Sequence, residues 1–196
     1  KKQYKIIAYK KQPIMALKKF PFYKQPDAKD CGPTCLRIIA KHYNKSIPLQ
    51  QIRTLSETTR EGSGLLGLSN AAEHLGFRTL GVKIDFDTLV AEAPLPCIVH
   101  WNKNHYVVVY AIDKTNKVYV SDPSYGLITY TKEEFIKHWI GENANEQTEE
   151  GIALILETSP SFYKNEFDEE EKKTSFTFLS RYLLKYKSLV IQLAFG

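Results

Sequence analysis

The spacing of apolar residues changes once along the chain, near residue 77, and this change limits the possible folds more than any other feature. Upstream of it, residues 31–43, 48–57 and 66–75 carry apolar side chains at helical intervals. Downstream, short segments rich in Val, Ile and Tyr alternate between two faces, as strands do. The predicted strands are residues 77–83, 96–101, 105–112, 118–121, 127–130 and 152–157, with a capped helix at residues 132–139. Helices followed by an antiparallel sheet predict an α+β fold.

The positive charge of the chain is confined to its beginning. The formal net charge is +5, but residues 1–19 contain seven lysines and no acidic residue. The remaining 20 basic side chains are matched by 22 acidic ones. We therefore interpret residues 1–19 as a basic extension and do not expect a nucleic-acid partner. Their apolar residues form no sustained run, so they are not a predicted signal peptide.

The segments after the globular part, which we place at residues 20–158, have two different characters. Residues 159–175 contain an acidic run and are predicted to be a solvated linker. Residues 176–196 begin as a basic amphipathic segment and end in the apolar run 188–196. We interpret them as an interfacial helix that leads into a truncated first transmembrane helix. A terminal helix that packs on the domain or on a partner is the alternative.

Three cysteines occur in the chain, and the first has the setting of a nucleophile. Cys31 precedes Gly32 and Pro33 where the first helix begins, and Asp30 is positioned to accept hydrogen bonds as its N-cap. A thiol at the positive end of a helix dipole is favoured in its thiolate form. An odd number of cysteines does not indicate a disulfide framework, and no fourth ligand at zinc spacing accompanies them. We expect no metal and no cofactor, and we expect Cys35 and Cys97 to be buried apolar residues.

A cysteine nucleophile needs a base, and two of the five histidines are candidates. His105 opens a strongly apolar strand, where an imidazole at the rim of a sheet can face a cleft, and His100 lies in the strand before it. For His42, His74 and His138 we expect structural or surface roles.

An orienting carboxylate and an oxyanion donor complete such a site. Asp122 ends the strand that returns beside His105, although a count centred on the turn places it opposite the middle of that strand. A β-bulge or a strong twist would be needed to bring the two side chains together, and Asp122 could equally open a turn. The Gln25 amide, six residues before Cys31, could join the Cys31 backbone N–H as an oxyanion donor.

The order of these motifs resembles a known family, the bacteriocin-processing double-glycine peptidases found at the cytoplasmic N-terminus of peptidase-containing ABC exporters. The resemblance covers about residues 20–157. It is carried by Gln25, Asp30-Cys31-Gly32, residues 62–68 and 71–77, Pro94-Leu95-Pro96, His100-Trp101, His105-Tyr106-Val107-Val108 and Asp122-Pro123.

The resemblance implies a papain-like cysteine peptidase in which N-terminal helices pack against an antiparallel sheet. It implies that Cys31 is the nucleophile, His105 the base, Asp122 the orienting residue and Gln25 the oxyanion donor. The implied substrate is a leader peptide cut after Gly-Gly. The implied partners are the transmembrane and ATPase domains of an ABC exporter, at the cytoplasmic face of the bacterial inner membrane.

Two other functions remain open from the sequence. The domain could be a catalytically idle module that tethers peptide cargo to an exporter, although the presence of Cys31 and His105 argues against this. It could also be a papain-like enzyme that acts on cell-wall or small-molecule amides. The missing signal peptide and the predicted approach to a membrane argue against that alternative.

Overall fold

The structure is a computed structural model that describes residues 20–141 and 150–164 of the chain. Five of its helices and all six of its strands lie before residue 159. The helices are α1 (Cys31–His42), α2 (Leu49–Leu55), α3 (Leu65–His74), α4 (Phe86–Glu92), α5 (Lys132–Trp139) and α6 (Pro160–Lys164). The strands are β1 (Phe77–Ile84), β2 (Cys97–Trp101), β3 (His105–Ile112), β4 (Val118–Asp122), β5 (Gly126–Tyr130) and β6 (Gly151–Thr158).

All six strands form one antiparallel sheet in the order β1-β6-β2-β3-β4-β5. Side chains alternate across it, so β1, β2, β3 and β6 each contribute to two apolar cores, one on either face of the sheet. Val108 belongs to the core shared with α1, α2 and α3, whereas Val107 belongs to the core shared with α4 and α5. The predicted α+β class, with the N-terminal helices packed against an antiparallel sheet, is confirmed.

Helix α1 is the central helix of the first core. Nine of its twelve residues are buried, and the helix packs directly on β3. One turn into the helix, the buried thiol of Cys35 donates a hydrogen bond of 3.3 Å to the carbonyl oxygen of Tyr106. This contact joins the first turn of α1 to the beginning of β3 and so brings Cys31 close to the end of the sheet where β3 starts.

A β-bulge in β3 determines which way Asp122 faces. The pairs Ala111–Tyr119 and Val109–Val120 leave Tyr110 as an extra residue on the β3 side. Beyond the bulge Ser121 pairs with Val108, so Asp122 aligns with Val107, on the same side of the sheet as His105. Without the extra residue Asp122 would align with Val108 and face the other side, because a shift of one residue exchanges the two faces. The residue count from the sequence indicated that Asp122 would not align with the start of β3 without a bulge or twist, and the structure contains a bulge at Tyr110.

The structured part of the chain extends past the boundary predicted at residue 158. Pro160–Lys164 form α6, so the prediction of a solvated linker is wrong for these residues. The Phe162 ring is fully buried with its centroid 4.5 Å from that of Phe77, and a Cβ on Gly76 would lie 2.5 Å from the Phe162 nitrogen. The two aromatic residues of this short helix, Phe162 and Tyr163, are adjacent and show no helical spacing, which is why the helix was missed.

Helix α4 was also absent from the sequence prediction. Its N-cap is Asp85, whose carboxylate accepts a hydrogen bond of 2.7 Å from the backbone N–H of Thr88. The predictions for residues 1–19, for residues 165–175 and for the membrane-approaching segment 176–196 lie outside the described residues. Within residues 20–141 and 150–164, no helix has both the length and the apolar character needed to cross a membrane.

Candidate active site

Cys31 is the first residue of α1 and is largely shielded from solvent, with 6% of its surface exposed. It therefore lies at the N-terminal, positive end of the α1 dipole, as the sequence predicted. Asp30 occupies the N-cap position, but the prediction that its side chain caps the helix is wrong. Its carboxylate turns away and binds the guanidinium of Arg53, because a planar fork of donors satisfies both carboxylate oxygens at once.

His105 and Asp122 form the second part of the site. The Nε2 atom of His105 lies 2.8 Å from Oδ1 of Asp122. An ionised carboxylate can only accept, so Nε2 carries the proton and the ring faces Cys31 with Nδ1. The Asp122 side chain is almost completely buried and also accepts a hydrogen bond of 2.8 Å from the Ser124 backbone N–H. The Ser124 backbone N–H therefore fixes the Asp122 carboxylate, and this carboxylate in turn orients the His105 ring.

The protonation of His105 follows from these neighbours. Burial lowers the pKa of its imidazole, but hydrogen bonds to Asp122 and Cys31, together with the charges of both, outweigh burial and raise the pKa to about 9. The ring is therefore an imidazolium at neutral pH, which can stabilise a thiolate beside it. Because this pKa lies above the ordinary value of 6.5, the contribution of His105 to folding stability is complete below pH 6.5. It is lost as the pH rises through about 9.

The other two cysteines have the roles that the sequence predicted. Cys35 and Cys97 are fully buried. Burial, with smaller contributions from the charges of Cys31 and Asp122, raises the pKa of the Cys35 thiol well above its ordinary value. Burial alone raises the pKa of Cys97 to about 12. Neither thiol forms a thiolate near neutral pH, so Cys31 alone among the three has the surroundings of a nucleophile.

The contacts of the remaining histidines are with residues other than Cys31. His42 stacks near Phe20, and burial lowers its pKa. His100 lies beside the Tyr106 ring at 5.1 Å between centroids, and burial lowers its pKa too. His74 Nδ1 lies 2.8 Å from the Asn70 carbonyl, and His138 Nδ1 lies 3.0 Å from Asn102 Oδ1. These contacts fit the structural roles expected for His42, His74 and His138.

Gln25 lies at the same end of the sheet as Asp122. Its backbone N–H donates a hydrogen bond of 2.9 Å to the carbonyl of Pro123. Its side-chain amide donates to the carbonyl oxygens of Asp27 and Ala28, at 3.1 and 3.4 Å. Its Oε1 atom is buried and has no hydrogen-bond partner among the described residues. The amide thus holds the loop that leads into α1, with the second, longer bond the weaker of the two.

Two residues of this region were not identified from the sequence. Tyr106 follows His105, and its pKa is raised by burial and by the charges of Cys31 and Cys35. Arg53 reaches Asp30 from α2, across 23 positions of the chain. An arginine in a short amphipathic helix gives no sequence signal for such a contact, whereas Tyr106 could have been found from its position directly after the candidate base.

Comparison with known proteins gives a consistent result. The sequence model of the Peptidase C39 family matches residues 19–145. The lactococcin-G-processing and transport ATP-binding protein of Lactococcus lactis subsp. lactis is 33% identical over 172 residues, which cover 85% of this chain and 22% of that protein. The pediocin PA-1 transport/processing ATP-binding protein of Pediococcus acidilactici is 39% identical over 122 residues, which cover 59% of this chain and 17% of that protein. The chain therefore spans only a small part of the length of these curated relatives.

Solved structures match the fold over most of the described residues. A double glycine motif protease from an AMS/PCAT transporter, solved in complex with the leader peptide, aligns with a TM-score of 0.64 and 31% identity, covering 72% of this chain and 93% of that one. The peptidase domain of Streptococcus ComA, a bi-functional ABC transporter involved in quorum sensing, aligns with a TM-score of 0.62 and 30% identity. That alignment covers 72% of this chain and all of the other.

Proposed function

The chain belongs to the peptidase C39 family, and from this membership and the geometry around Cys31 we propose that it cleaves leader peptides directly after a Gly-Gly pair. The observation that carries the proposal is the continuous set of contacts from Cys31 to His105 to Asp122 at the start of α1. A thiol, an imidazolium and a buried carboxylate in this order supply a nucleophile, a proton carrier and an orienting group.

The proposed reaction proceeds in two steps. In the first, the Cys31 thiolate attacks the carbonyl carbon of the second glycine, and the His105 imidazolium gives its proton to the leaving amine as the peptide bond breaks. The leader is then bound to the sulfur as a thioester. In the second step, His105 takes a proton from water, and the resulting hydroxide releases the leader with a free carboxylate. Asp122 keeps the ring in one tautomer throughout.

The developing oxyanion needs donors, and we propose the Cys31 backbone N–H and the Gln25 amide for this role. The amide has two N–H groups, and its 3.4 Å bond to the Ala28 carbonyl is weak enough to exchange for a negatively charged oxygen. Charge-assisted bonds are the stronger ones, so the exchange is favourable only while the oxyanion exists.

The Gly-Gly preference has a steric explanation. Cys31 is 6% exposed and Tyr106 beside it is 9% exposed, so little space surrounds the sulfur. A side chain next to the scissile bond would have to displace packed atoms, and steric exclusion rejects substrates more sharply than the loss of a contact.

We also propose the cellular context from the relatives. Both curated relatives are named as transport and processing ATP-binding proteins, and one solved relative was crystallised with a leader peptide. The proposal is that residues 20–164 act as the peptidase domain of an ABC exporter at the cytoplasmic face of the bacterial inner membrane. Residues 176–196 would lead into its first transmembrane helix. The transmembrane and ATPase domains would be partners outside this chain.

The substrate proposal is tested by incubating the chain with a synthetic leader peptide that contains Gly-Gly followed by several cargo residues. We expect two fragments whose masses place the cut directly after the second glycine. A matched peptide with Ala-Ala in place of Gly-Gly should remain intact under the same conditions. An uncut Gly-Gly peptide in the presence of folded chain would overturn the substrate proposal. It would favour a catalytically idle peptide-binding module instead.

Replacing Asp122 by asparagine should move the alkaline limit of activity to lower pH. The carboxylate raises the pKa of His105 towards 9, so its loss lets the imidazolium deprotonate earlier. We expect the alkaline limb of kcat/KM to shift downward by about one pH unit or more. The control is Asp87→Asn, which removes the same charge from a side chain that is 86% exposed. An unchanged alkaline limb in Asp122→Asn would exclude an orienting role for this carboxylate.

A further inference from the structure

Asp30, the residue directly before Cys31, holds a buried charge that one arginine neutralises. The Asp30 side chain is completely shielded from solvent. The Nε atom of Arg53 donates to Oδ1 at 2.8 Å, and an Nη atom donates to Oδ2 at 2.6 Å. A third guanidinium nitrogen of Arg53 donates to Gln50 Oε1 at 3.1 Å, which fixes the fork on α2. The geometry is that of a bidentate pair, in which both carboxylate oxygens are bound at once.

The same carboxylate organises the loop between Gln25 and Cys31. Its Oδ2 atom also accepts a hydrogen bond of 3.1 Å from the Asp27 backbone N–H. The Asp27 carbonyl in turn accepts the 3.1 Å bond from the Gln25 amide. Arg53, Asp30, Asp27 and Gln25 therefore form one unbroken series of contacts that ends at the proposed oxyanion donor. The loop carrying this donor and the start of α1 are held by a residue from another helix.

The charge balance of this pair bears directly on the nucleophile. A buried carboxylate adjacent to a thiol disfavours the thiolate, because two negative charges would share a poorly solvated region. Arg53 supplies the compensating positive charge at hydrogen-bond distance from the Asp30 carboxylate, one residue before Cys31 along the chain. The mechanism described above uses neither residue.

We propose that Arg53 is a positioning residue of the peptidase. By binding Asp30 it fixes the loop from Gln25 to Cys31, and by neutralising that carboxylate it allows the Cys31 thiolate to form near neutral pH. The inference rests on the proposed function for its catalytic consequence, but its effect on the thiol can be measured without any peptide.

The test compares the pH dependence of Cys31 alkylation by iodoacetamide in the 196-residue chain and three variants. Arg53→Met removes the positive charge and keeps most of the side-chain length, Asp30→Asn removes the negative charge, and the double variant removes both. Arg78→Met, an exposed position on β1, is the matched control. The other titratable groups that face Cys31 are unchanged in all of them: His105 and Tyr106 of β3, Asp122 of β4 and Cys35 of α1.

The two single variants should shift the acidic limb of the alkylation profile in opposite directions. We expect Arg53→Met to move it upward by about one pH unit and Asp30→Asn to move it downward. The double variant should lie close to the unmodified chain. A purely structural role would not give opposite shifts, so shifts in the same direction, or no shift, would overturn the proposal. If Arg53→Met does not fold by circular dichroism, Asp30→Asn and the double variant still decide the outcome.

Cleavage of the Gly-Gly leader peptide by the same proteins separates this inference from the proposed function. Opposite alkylation shifts without cleavage by the unmodified chain would support the role of Arg53 and reject the peptidase proposal. If the unmodified chain cleaves the peptide but the variants show no shift of the alkylation profile, the peptidase proposal is supported and the role of Arg53 is rejected. Where the alkylation shifts and the cleavage are both observed, Arg53→Met should lower kcat at least tenfold at neutral pH with little change in KM, because the proposal has Arg53 act through Asp30 and not on the peptide.

Discussion

Replacing Cys31 by alanine is expected to abolish cleavage of the Gly-Gly leader peptide, while the fold and peptide binding should remain. In the proposed mechanism the Cys31 sulfur forms the covalent bond to the leader, and neither other thiol is expected to replace it, since Cys35 and Cys97 are buried with raised pKa values. Loss of a nucleophile of this kind lowers kcat by about 10⁵-fold or more. The change from thiol to methyl removes one atom at a largely buried position, so we expect only a small loss of stability.

The measurement for Cys31→Ala combines mass spectrometry of the digest with fluorescence anisotropy of a labelled leader peptide. Cys97→Ala is the matched control, because that thiol is buried in the second core and should leave cleavage within a few-fold of the unmodified chain. Cleavage that persists in Cys31→Ala, or that disappears in Cys97→Ala with the fold intact, would contradict the assignment of the nucleophile.

Replacing His105 by alanine should lower kcat by about 10⁴-fold. Two functions are lost together, because the imidazolium no longer stabilises the thiolate and no group donates a proton to the leaving amine. Alkylation of Cys31 by iodoacetamide at neutral pH should slow as well, since its thiolate loses the neighbouring positive charge. The defect is therefore expected in the chemical step and in the reactivity of the free thiol.

His100→Ala is the control for this second variant, since His100 was the other candidate base in the sequence. Its ring packs against Tyr106 at 5.1 Å and burial lowers its pKa, which suits a neutral structural side chain. We expect a decrease in kcat of less than about tenfold from the lost packing. If His100→Ala had the larger effect and His105→Ala the smaller, the two assignments would have to be exchanged.

The fold class and most elements could be predicted because local patterns determine them. Residues 31–43 show a helical apolar spacing and residues 105–112 alternate, and the structure contains α1 and β3 at nearly those bounds. Thr131 and Glu134 form the capping box expected at the start of α5. The order of Cys31, His105 and Asp122 along the chain was likewise visible, because it is a property of the sequence itself.

The features that could not be predicted depend on contacts between distant segments. The extra residue at Tyr110 turns Asp122 towards His105, but nothing in the local sequence marks a bulge at that position. The carboxylate of Asp30 was expected to cap α1, but it binds Arg53 instead. Helix α2 packs against α1 and brings this arginine within reach, which the local sequence does not reveal. Helix α6 was missed for the same reason, since contacts with distant residues hold it, such as the packing of Phe162 against Phe77.

The proposed mechanism passes through a thioester between Cys31 and the leader, and rapid-quench mass spectrometry tests for this intermediate most directly. The unmodified chain is mixed with excess Gly-Gly leader peptide, stopped in acid within the first turnover and digested. The account predicts that the peptide containing Cys31 gains the mass of the leader up to its second glycine, less one water. A folded chain that cuts the leader without ever carrying this mass on Cys31, or that carries it on another residue, would contradict the account.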